Sequence, residues 1–376
     1  MKKGLDFQNF WEEYLKTQNR KILYVLGRGF DPRMCTGIEV ILKLGGEGSC
    51  DCLVIEFDEG PSSPSLYHAD LVLDNIEILK KCLNTHGKFL SKHVRMWTVD
   101  GPRRRRIGSR DAAEVFTNLS DFEEYTDVVI DISALPRGIY FSLIGKTLYL
   151  LDDAKVKDSS ASIPNLHIVV AECAELDQKI FDVGIDDTAM YVHGFGHYLE
   201  MEATLDIPKI WIPILGEGQS VQLNKIYDLV SPDEICPVLP SPSFDPRRGD
   251  KLIIEYREIL FDQWRIEPKN IIYAHEQNPF EAYRQIVRAI RHYNKSLGPL
   301  GGCKAAISAL SSKLLSVGAL LAAYDLGYNL KGDKISVGLA HIESEGYQIK
   351  ELQKYEDLKR NVELFTLWID GDSYEE

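Results

Sequence analysis

The sequence predicts an α/β protein made of two Rossmann-like units in tandem, each with a mainly parallel, doubly wound sheet. Three observations predict it: short apolar runs bounded by turn residues, helical stretches between those runs, and short motifs that occur twice in the same order. Apolar strands without strict alternation are typical of parallel sheets buried on both faces. Strands that alternate with helices favour a doubly wound arrangement. A chain of 376 residues is long enough for two such domains.

Composition limits the classes of function. A formal net charge of −14 argues against a protein that binds nucleic acid over its whole surface. No apolar run reaches the roughly 18 residues of a membrane-spanning helix, so we expect a soluble protein without a membrane partner. The first residues lack the apolar centre of a secretory signal, and the seven cysteines are not spaced as metal ligands. We therefore expect a cytoplasmic protein with free thiols and no metal site of its own.

An amphipathic helix within residues 1–20 is the first predicted element, because Phe7, Trp11 and Tyr14 recur at helical spacing. A first Rossmann-like unit spans 21–172. Its strands are predicted at 21–27, 52–57, 94–99, 127–133 and 166–172, and its helices include 69–83 and 137–151.

Residues 173–209 are acidic and contain no clear strand, so we interpret them as a connector. A second Rossmann-like unit follows at 210–345. Its strands are predicted at 210–216, 234–240, 270–275, 305–311 and 334–341, and its helices include 281–293 and 314–328. The final segment, 346–376, ends in acidic residues and is interpreted as an acidic C-terminal tail.

The same motifs mark matching positions in the two units. They are a glycine-bearing turn after the first strand (26–29 and 215–218), Ser-Pro-Ser after the second (63–65 and 241–243), and Ile-Ser-Ala-Leu at the fourth (132–135 and 307–310). Chance matches would not keep their order at the same element boundaries. The motifs therefore indicate an internal duplication.

The loop after the first strand carries the first set of candidate contacts. Ligands of open parallel sheets bind outside the carboxyl ends of the strands, near helix N-termini whose free N–H groups attract anions. Arg28 and Arg33 flank a tight turn at Gly29, where they can hold a phosphate in bidentate fashion. Asp31 precedes a proline and fits a helix cap. The alternative is a capped turn with solvated arginines.

The loop after the fourth strand supplies a second set. Asp131 ends the strand, while Ser133 and Arg137 lie near the start of the next helix. The counterparts in the second unit are Ser308, Ser311 and Lys313. Hydroxyl groups and a cation at a helix N-terminus suit a phosphate or a ribose. Simple capping of the helix by serine is the alternative.

Three further segments are candidates with open interpretations. Asp58 and Glu59 follow the second strand, where they hold ribose hydroxyls, hold a metal that accompanies a nucleotide, or face solvent. The four arginines at 103–106 form a solvated loop tip, or bind a phosphate backbone or an acidic partner. Phe-Asp-Pro-Arg occurs twice, at 30–33 and 244–247, and helix-entry geometry is the one physical account that we have for it.

Two Rossmann-like units with loops at 27–33, 131–138 and 307–313 resemble the CRISPR-associated Rossmann fold sensors and the related fused-pair sensor domains of cyclic-oligonucleotide defence systems. The resemblance is one of fold and covers roughly residues 20–345. It implies a cyclic nucleotide ligand held between paired units. This chain departs from those families because 346–376 has no nuclease motif, so the resemblance implies a separate effector polypeptide.

The leading hypothesis is a nucleotide-sensing or regulatory subunit of a prokaryotic multi-component system, with antiviral defence as one candidate. One composite site dominated by the first unit is expected. Phosphate contacts are assigned to Arg28, Arg33, Ser133, Arg137 and Lys313, and ribose contacts to Asp58 or Glu59. One alternative is a metal-dependent enzyme on a nucleotide or phosphosugar, with Asp31, Asp131 or Glu59 as base or metal ligand. The other is a degenerate Rossmann scaffold within a protein complex. The cofactor, if there is one, stays unassigned.

Overall fold

The computed structural model describes residues 1–60, 63–100, 103–158, 162–177, 179–196, 199, 206–328, 335–349 and 361–372. The chain divides into two compact units. The first consists of Met1–Gly184 together with Ser344–Glu376, and the second is Ile185–Glu343. None of the described helices is both long enough and apolar enough to span a membrane.

Strands and helices alternate along the described parts of the chain. From the N-terminus they are β1 (Lys2–Lys3), α1 (Leu5–Thr17), β2 (Lys21–Gly27), α2 (Thr36–Lys43), β3 (Ser49–Asp58), α3 (Ala69–Leu83), β4 (Phe89–Arg95), β5 (Trp97–Asp100), β6 (Arg103–Arg106), α4 (Gly108–Ala113), β7 (Asp127–Asp131), α5 (Arg137–Lys157), β8 (Asn165–Glu172), α6 (Ala174–Asp177) and β9 (Ile180–Ile185). The second unit continues with β10 (Met190–Tyr191), β11 (Lys209–Ile214), α7 (Ser220–Val230), β12 (Glu234–Ile235), β13 (Val238–Pro240), α8 (Arg248–Glu255), β14 (Ile272–Ala274), α9 (Pro279–Ser296), β15 (Lys304–Ala309), α10 (Lys313–Tyr328) and β16 (Val337–His341). The chain then returns to the first unit with β17 (Ser344–Ile349) and β18 (Glu363–Asp370).

The first unit is built on a sheet in the order β1-β18-β8-β7-β2-β3-β4. Its five central strands, from β8 to β4, are parallel, whereas β18 and β1 are antiparallel additions at one side. The chain runs outward from β2 through β3 to β4, then crosses back to β7 and β8. The order therefore reverses between β2 and β7, which is the position where doubly wound sheets bind ligands.

The second unit repeats this order. Its sheet runs β10-β16-β15-β11-β13-β14, with β12 also beside β11, and the strands from β16 to β14 are parallel. The order reverses between β11 and β15, the first and fourth parallel strands of this unit. The α/β class with mainly parallel, doubly wound sheets is thus confirmed. A shared strand order is what a duplication predicts, and the duplication itself stays a prediction.

Burial accounts for the apolar runs that predicted these strands. Every residue of β7 and of β15 is buried, as expected for central strands with helices on both faces. The helices that follow them, α5 and α10, are also largely buried, including small residues such as Gly138 and Gly318. The loops after β7 and β15 therefore connect fully buried central strands to largely buried helices.

The third strand was predicted at 94–99, and this prediction is wrong. The third parallel strand is β4, and residues 97–100 form β5, which pairs with β6 in an antiparallel hairpin. The first five residues of β4 are exposed because it lies at the edge of the sheet, so apolar character does not mark it. The arginines at 103–106 belong to β6 rather than to a loop tip. Arg106 stacks on Trp97, with its guanidinium carbon 3.5 Å from the ring centroid.

The connector and the tail also contain regular structure. Within 173–209 lie α6, β9 and β10, of which β9 pairs with β17 and β10 with β16. The tail contributes β18, which pairs antiparallel with β8 over most of its length and buries Phe365 and Leu367. The sequence did not predict this pairing of β18 with β8, because strands that are distant in sequence produce no local pattern that shows they are neighbours. Residues 178, 197, 198, 200–205, 350–360 and 373–376 of these segments lie outside the described residues.

A buried polar network lies at the opposite end of β7 from the candidate loops. Asp127 is fully buried and accepts hydrogen bonds from the Tyr14 hydroxyl at 2.5 Å and from the Thr126 hydroxyl at 2.6 Å. Arg20 Nη1 lies 3.5 Å from the same carboxylate, and His167 Nε2 lies 3.4 Å from it. Burial alone would raise the pKa of Asp127, but His167, Thr126 and Tyr14 lower it. The network ties α1 to the start of β7 and to β8.

Stability should fall in mild acid because of His167. Its ring is fully buried among aromatic side chains, and this burial lowers its pKa below the ordinary 6.5 despite the nearby Asp127. The unfolded chain then binds a proton near pH 6.5 that the folded chain rejects, so stability is complete above that pH and declines below it. Urea unfolding at a series of pH values should give a flatter profile between about pH 7 and 5 for His167→Asn. Equal slopes for variant and wild type would contradict this assignment.

Candidate functional site

The loops that follow β2 and β7 meet at the point where the strand order reverses. A methyl group in place of a hydrogen of Gly27 would lie 2.6 Å from Leu135 Cδ2 and 3.1 Å from the Ala134 carbonyl oxygen. The backbone after β2 therefore requires glycine so that the next loop can pack against it. This contact brings the predicted segments 27–33 and 131–138 together.

The same contact occurs in the second unit. A methyl group on Gly216 would lie 2.0 Å from the carbonyl oxygen of Leu310. Gly216 follows β11 and Leu310 follows β15, so they hold the positions of Gly27 and Leu135. Two of the repeated motifs, the glycine turn and Ile-Ser-Ala-Leu, thus touch each other in both units. Close packing where the strand order reverses explains their recurrence without a ligand.

Arg33 is held by its own chain. Its side chain is 4% exposed and forms ion pairs with Asp31 at 2.8 Å and with Asp177 at 2.7 Å. Burial opposes the charge, yet the two carboxylates raise the pKa of Arg33 above its ordinary value. Asp31 also accepts from the Arg33 backbone N–H at 2.9 Å. The predicted phosphate clamp therefore loses Arg33, which instead joins the loop after β2 to α6. Asp31 caps the helical turn that begins at Pro32, as the sequence predicted.

Arg28 is more accessible than Arg33. Its side chain is 40% exposed, and Nη1 donates to Glu56 Oε2 at 2.9 Å. His93 Nδ1 lies 3.7 Å from the same oxygen. We call Arg28, Glu56 and His93 the first-unit cluster; it spans the ends of β2, β3 and β4. Sequence reasoning did not identify Glu56 as a partner of Arg28, and it missed His93 because that residue lies in an exposed strand that was not predicted.

Asp131 and Ser133 stabilise the end of β7. Asp131 is 1% exposed and accepts from the Tyr24 hydroxyl at 2.7 Å and from the Ser133 N–H at 2.9 Å. Ser133 is equally buried, and its hydroxyl accepts from the Ala171 N–H at 2.8 Å. Burial and the neighbouring carboxylate raise the pKa of Tyr24. These bonds join β7 to β2 and β8, so the two predicted ligand contacts have structural partners.

Arg137 and Lys313 keep positions that suit an anion. Arg137 is the first residue of α5, a helix of 21 residues whose first turn has neither an acidic residue nor a side-chain cap. Lys313 is the first residue of α10, and both side chains are half-buried. The N-terminus of a long helix carries partial positive charge. The corresponding serines differ, because Ser308 is fully buried and accepts from the Trp211 indole N–H at 3.0 Å, and Ser311 is also buried.

The acidic residues after β3 organise their own loop. Asp58 Oδ1 accepts from the Gly60 N–H at 2.8 Å, which closes a turn. Glu59 is buried and accepts from the Ser63 hydroxyl at 2.6 Å. The carboxylates predicted to bind ribose, those of Asp58 and Glu59, therefore accept hydrogen bonds within their own loop. Residues 61 and 62, which precede Ser63, lie outside the described residues.

The two Phe-Asp-Pro-Arg segments adopt the same turn. Asp31 accepts from the N–H two residues later at 2.9 Å, and Asp245 does the same with Arg247 at 3.0 Å. In both segments the residue after the arginine donates its N–H to the aspartate carbonyl oxygen. An aspartate cap followed by proline in the first helical position favours this geometry. Helix entry therefore explains why the motif occurs in two different loops.

The second unit has an ionic cluster that sequence reasoning did not identify. Arg248 donates to both carboxylate oxygens of Glu217, at 2.6 and 2.7 Å, and to Glu276. These residues come from the segments after β11, β13 and β14. The hydrogen bonds from Arg248 lower the pKa of Glu217. Two carboxylates around one guanidinium leave this cluster with a negative charge, so it is less suited to phosphate than the first-unit cluster.

Among the described residues, no group of three or more histidine, cysteine, aspartate or glutamate side chains could hold a metal ion. All seven cysteines are free thiols, and burial raises the pKa of Cys50 to about 12. A thiol with so high a pKa is a poor nucleophile at neutral pH.

No protein-family model matches the sequence, and no curated protein matches it. Two solved structures are similar in part. The U34-tRNA thiolase NcsA from Methanococcus maripaludis, solved with its [4Fe-4S] cluster, is 13% identical over 41% of this chain and 52% of the thiolase, with a TM-score of 0.21. A universal stress protein from Archaeoglobus fulgidus DSM 4304 is 10% identical over 86% of this chain and 97% of that protein, with a TM-score of 0.22. At these scores the fold assignment depends on the strand order of the two sheets.

Proposed function

We propose that the first unit binds a phosphate-bearing nucleotide at the carboxyl ends of β2 and β7. The observation that carries this proposal is the placement of two cations, Arg28 and Arg137, on the two loops that meet where the strand order reverses. One loop presents the exposed Arg28, and the other leads into α5 with Arg137 in its first turn. An arginine guanidinium and the N-terminus of a long helix each favour a phosphate group.

The wider role that we propose is that of a sensing or regulatory subunit in a prokaryotic multi-component system, such as antiviral defence, with a separate effector polypeptide. What favours sensing over catalysis is the state of the candidate acids. Asp31, Asp131 and Glu59, the residues considered as base or metal ligand, are each engaged by groups of their own chain. The acids that the sequence offered as base or metal ligand are thus occupied by their own chain, which favours binding of a nucleotide over chemistry at these residues.

Removal of both arginines should abolish nucleotide binding. We expect Arg28→Ala with Arg137→Ala to weaken the binding of the best ligand in a panel of ATP, NAD, cyclic di-AMP and cyclic tetra-adenylate by at least about 100-fold. Each lost charge-assisted contact is worth roughly 1.5–3 kcal/mol. Isothermal titration calorimetry of the full chain measures the change.

The control for this experiment removes two exposed arginines of the second unit, Arg247→Ala with Arg257→Ala, and should leave affinity unchanged. Arg33→Ala is unsuitable as a binding test, because it removes a buried guanidinium that forms two ion pairs and so disturbs the loop itself. Equal affinity in the Arg28 and Arg137 double variant would refute the proposed site.

A degenerate scaffold is the second candidate function. The observation that favours it is the use of Arg33, Asp131, Ser133 and Ser308 within the chain, since none of these predicted contacts faces outward. A scaffold predicts no change of melting temperature with any nucleotide of the panel. A melting temperature that rises with one nucleotide, and no longer does so in the double variant, would exclude it.

A further inference from the structure

The edge strand β4 of the first unit leaves part of its backbone unpaired. In its parallel pairing with β3, Cys52 donates to the Lys88 carbonyl oxygen at 2.8 Å and Met96 donates to the Asp58 carbonyl oxygen at 3.1 Å. The even-numbered residues of β4 therefore direct their backbone groups toward β3, and the odd-numbered ones direct theirs outward. Among the described residues, Phe89, Ser91 and His93 have no partner for these outward N–H and C=O groups.

Proteins usually protect such an edge. Common devices are proline, a β-bulge, a very short strand or a charged side chain. The strand β4 has seven residues, contains no proline and keeps a continuous register with β3 from Phe89 to Arg95. It also exposes two apolar side chains, Phe89 and Leu90, each 36% accessible. An open, regular edge with exposed apolar residues is a surface on which another strand can pair.

The cations of β4 are turned toward their own chain. Lys92 donates to the Val115 carbonyl oxygen, and Arg95 pairs with Asp111 at 2.9 Å. The outward N–H of Arg95 is also directed at Asp111, at 3.4 Å. These contacts end the free edge at His93 and leave little charge for an acidic peptide. The free edge is thus centred on Ser91. Phe89 lies on one side of it and His93 on the other, and their outward backbone groups are also unpaired among the described residues.

We propose that β4 pairs antiparallel with β4 of a second copy of this chain, about a two-fold axis at Ser91. In this register Phe89 of each copy faces His93 of the other, and Ser91 faces Ser91, so all the outward backbone groups are paired. Leu90 of each copy lies opposite Lys92 of the other at a close, non-hydrogen-bonded position. No cation faces a cation, and both exposed apolar residues are covered. This self-complementarity favours a second copy over an unrelated strand.

The first test removes the central hydrogen bonds. Ser91→Pro deletes the outward N–H at the axis without touching the bonds to β3, and proline is tolerated on edge strands in this orientation. Ser91→Ala keeps the backbone and is the matched control. We expect sedimentation equilibrium to give dimers for the wild type and Ser91→Ala, and monomers for Ser91→Pro. Unchanged circular dichroism of the proline variant shows that it is folded.

The second test addresses the register. Leu90→Lys places a second ammonium group opposite Lys92 at two positions in each dimer, whereas Leu90→Glu places a carboxylate there. Because directly opposed like charges destabilise a strand pair and opposite charges stabilise it, the dimer of Leu90→Lys should dissociate at least roughly tenfold more readily than that of Leu90→Glu. A wild-type chain that stays monomeric at every concentration overturns the proposal, as does a dimer that survives Ser91→Pro. Binding of an unrelated extended peptide by a monomeric chain also overturns it.

Discussion

Gly216→Ala should destabilise the second unit by about 3 kcal/mol, because the added methyl group would lie 2.0 Å from the Leu310 carbonyl oxygen. That oxygen belongs to backbone at the end of β15, a fully buried strand, so it cannot move aside at low cost. Gly27→Ala should cost less, since its nearest neighbour is the Leu135 side chain, which can change its rotamer. Urea unfolding followed by circular dichroism measures both effects.

Gly249→Ala is the matched control for these two substitutions. Gly249 lies in the first turn of α8, and a methyl group there would approach its nearest atom, the Pro240 carbonyl oxygen, only to 3.8 Å. Alanine in a helix is favoured over glycine, so this variant should be slightly more stable than the wild type. If Gly216→Ala proved as stable as Gly249→Ala, the close packing where the strand order reverses would not be as described.

Asp127→Ala should destabilise the first unit by about 3–5 kcal/mol, because it leaves the Arg20 guanidinium buried without its nearest carboxylate. The Arg20 side chain is only 6% exposed, and Asp372, its next acidic neighbour, lies 3.9 Å away. The substitution also leaves the Tyr14 and Thr126 hydroxyls without their acceptor. Thermal and urea unfolding should both show the loss.

Two variants sharpen this experiment. Asp127→Asn keeps an oxygen that can accept from Tyr14 but removes the charge, so its loss of stability should be smaller than that of Asp127→Ala. Glu124→Ala removes a carboxylate that pairs with Lys21 in solvent, and we expect little change. If Asp127→Ala and Glu124→Ala lowered the free energy of unfolding by similar amounts, the buried network would stabilise the fold no more than an exposed ion pair does.

The candidate site combines residues that the sequence could identify with others that it could not. Glycine turns and Ile-Ser-Ala-Leu marked the two loops in both units, and the structure shows these motifs in contact. Arginine in such a loop predicts a phosphate contact, but it does not show which carboxylates surround it. Arg28 and Arg33 are five residues apart, and one is 40% exposed while the other is buried between two aspartates. The second aspartate, Asp177, is distant from Arg33 in sequence, so no local pattern around Arg33 predicts their ion pair.

Sequence patterns predicted the elements whose formation depends on residues close together in the chain. Apolar runs predicted the central strands, since burial on both faces requires apolar residues at every position. Helical spacing predicted α1 and α3, because it depends on neighbours three and four residues away. The same logic explains the failure at β4, an edge strand whose exposed residues follow no apolar pattern.

Strand neighbours and side-chain partners depend on residues distant in sequence, so the tertiary structure alone assigned them. The antiparallel strand β18 joins the first sheet from a segment that resembled an acidic tail. The Asp127 network gathers residues from α1, β7 and β8. The alternation of strands and helices was present in the sequence because it depends on short-range chemistry. The repeated motifs were also visible there, but the contact between the glycine turn and Ile-Ser-Ala-Leu joins distant parts of the chain and needed the tertiary structure. Which cations remain accessible to a ligand was decided by long-range pairing.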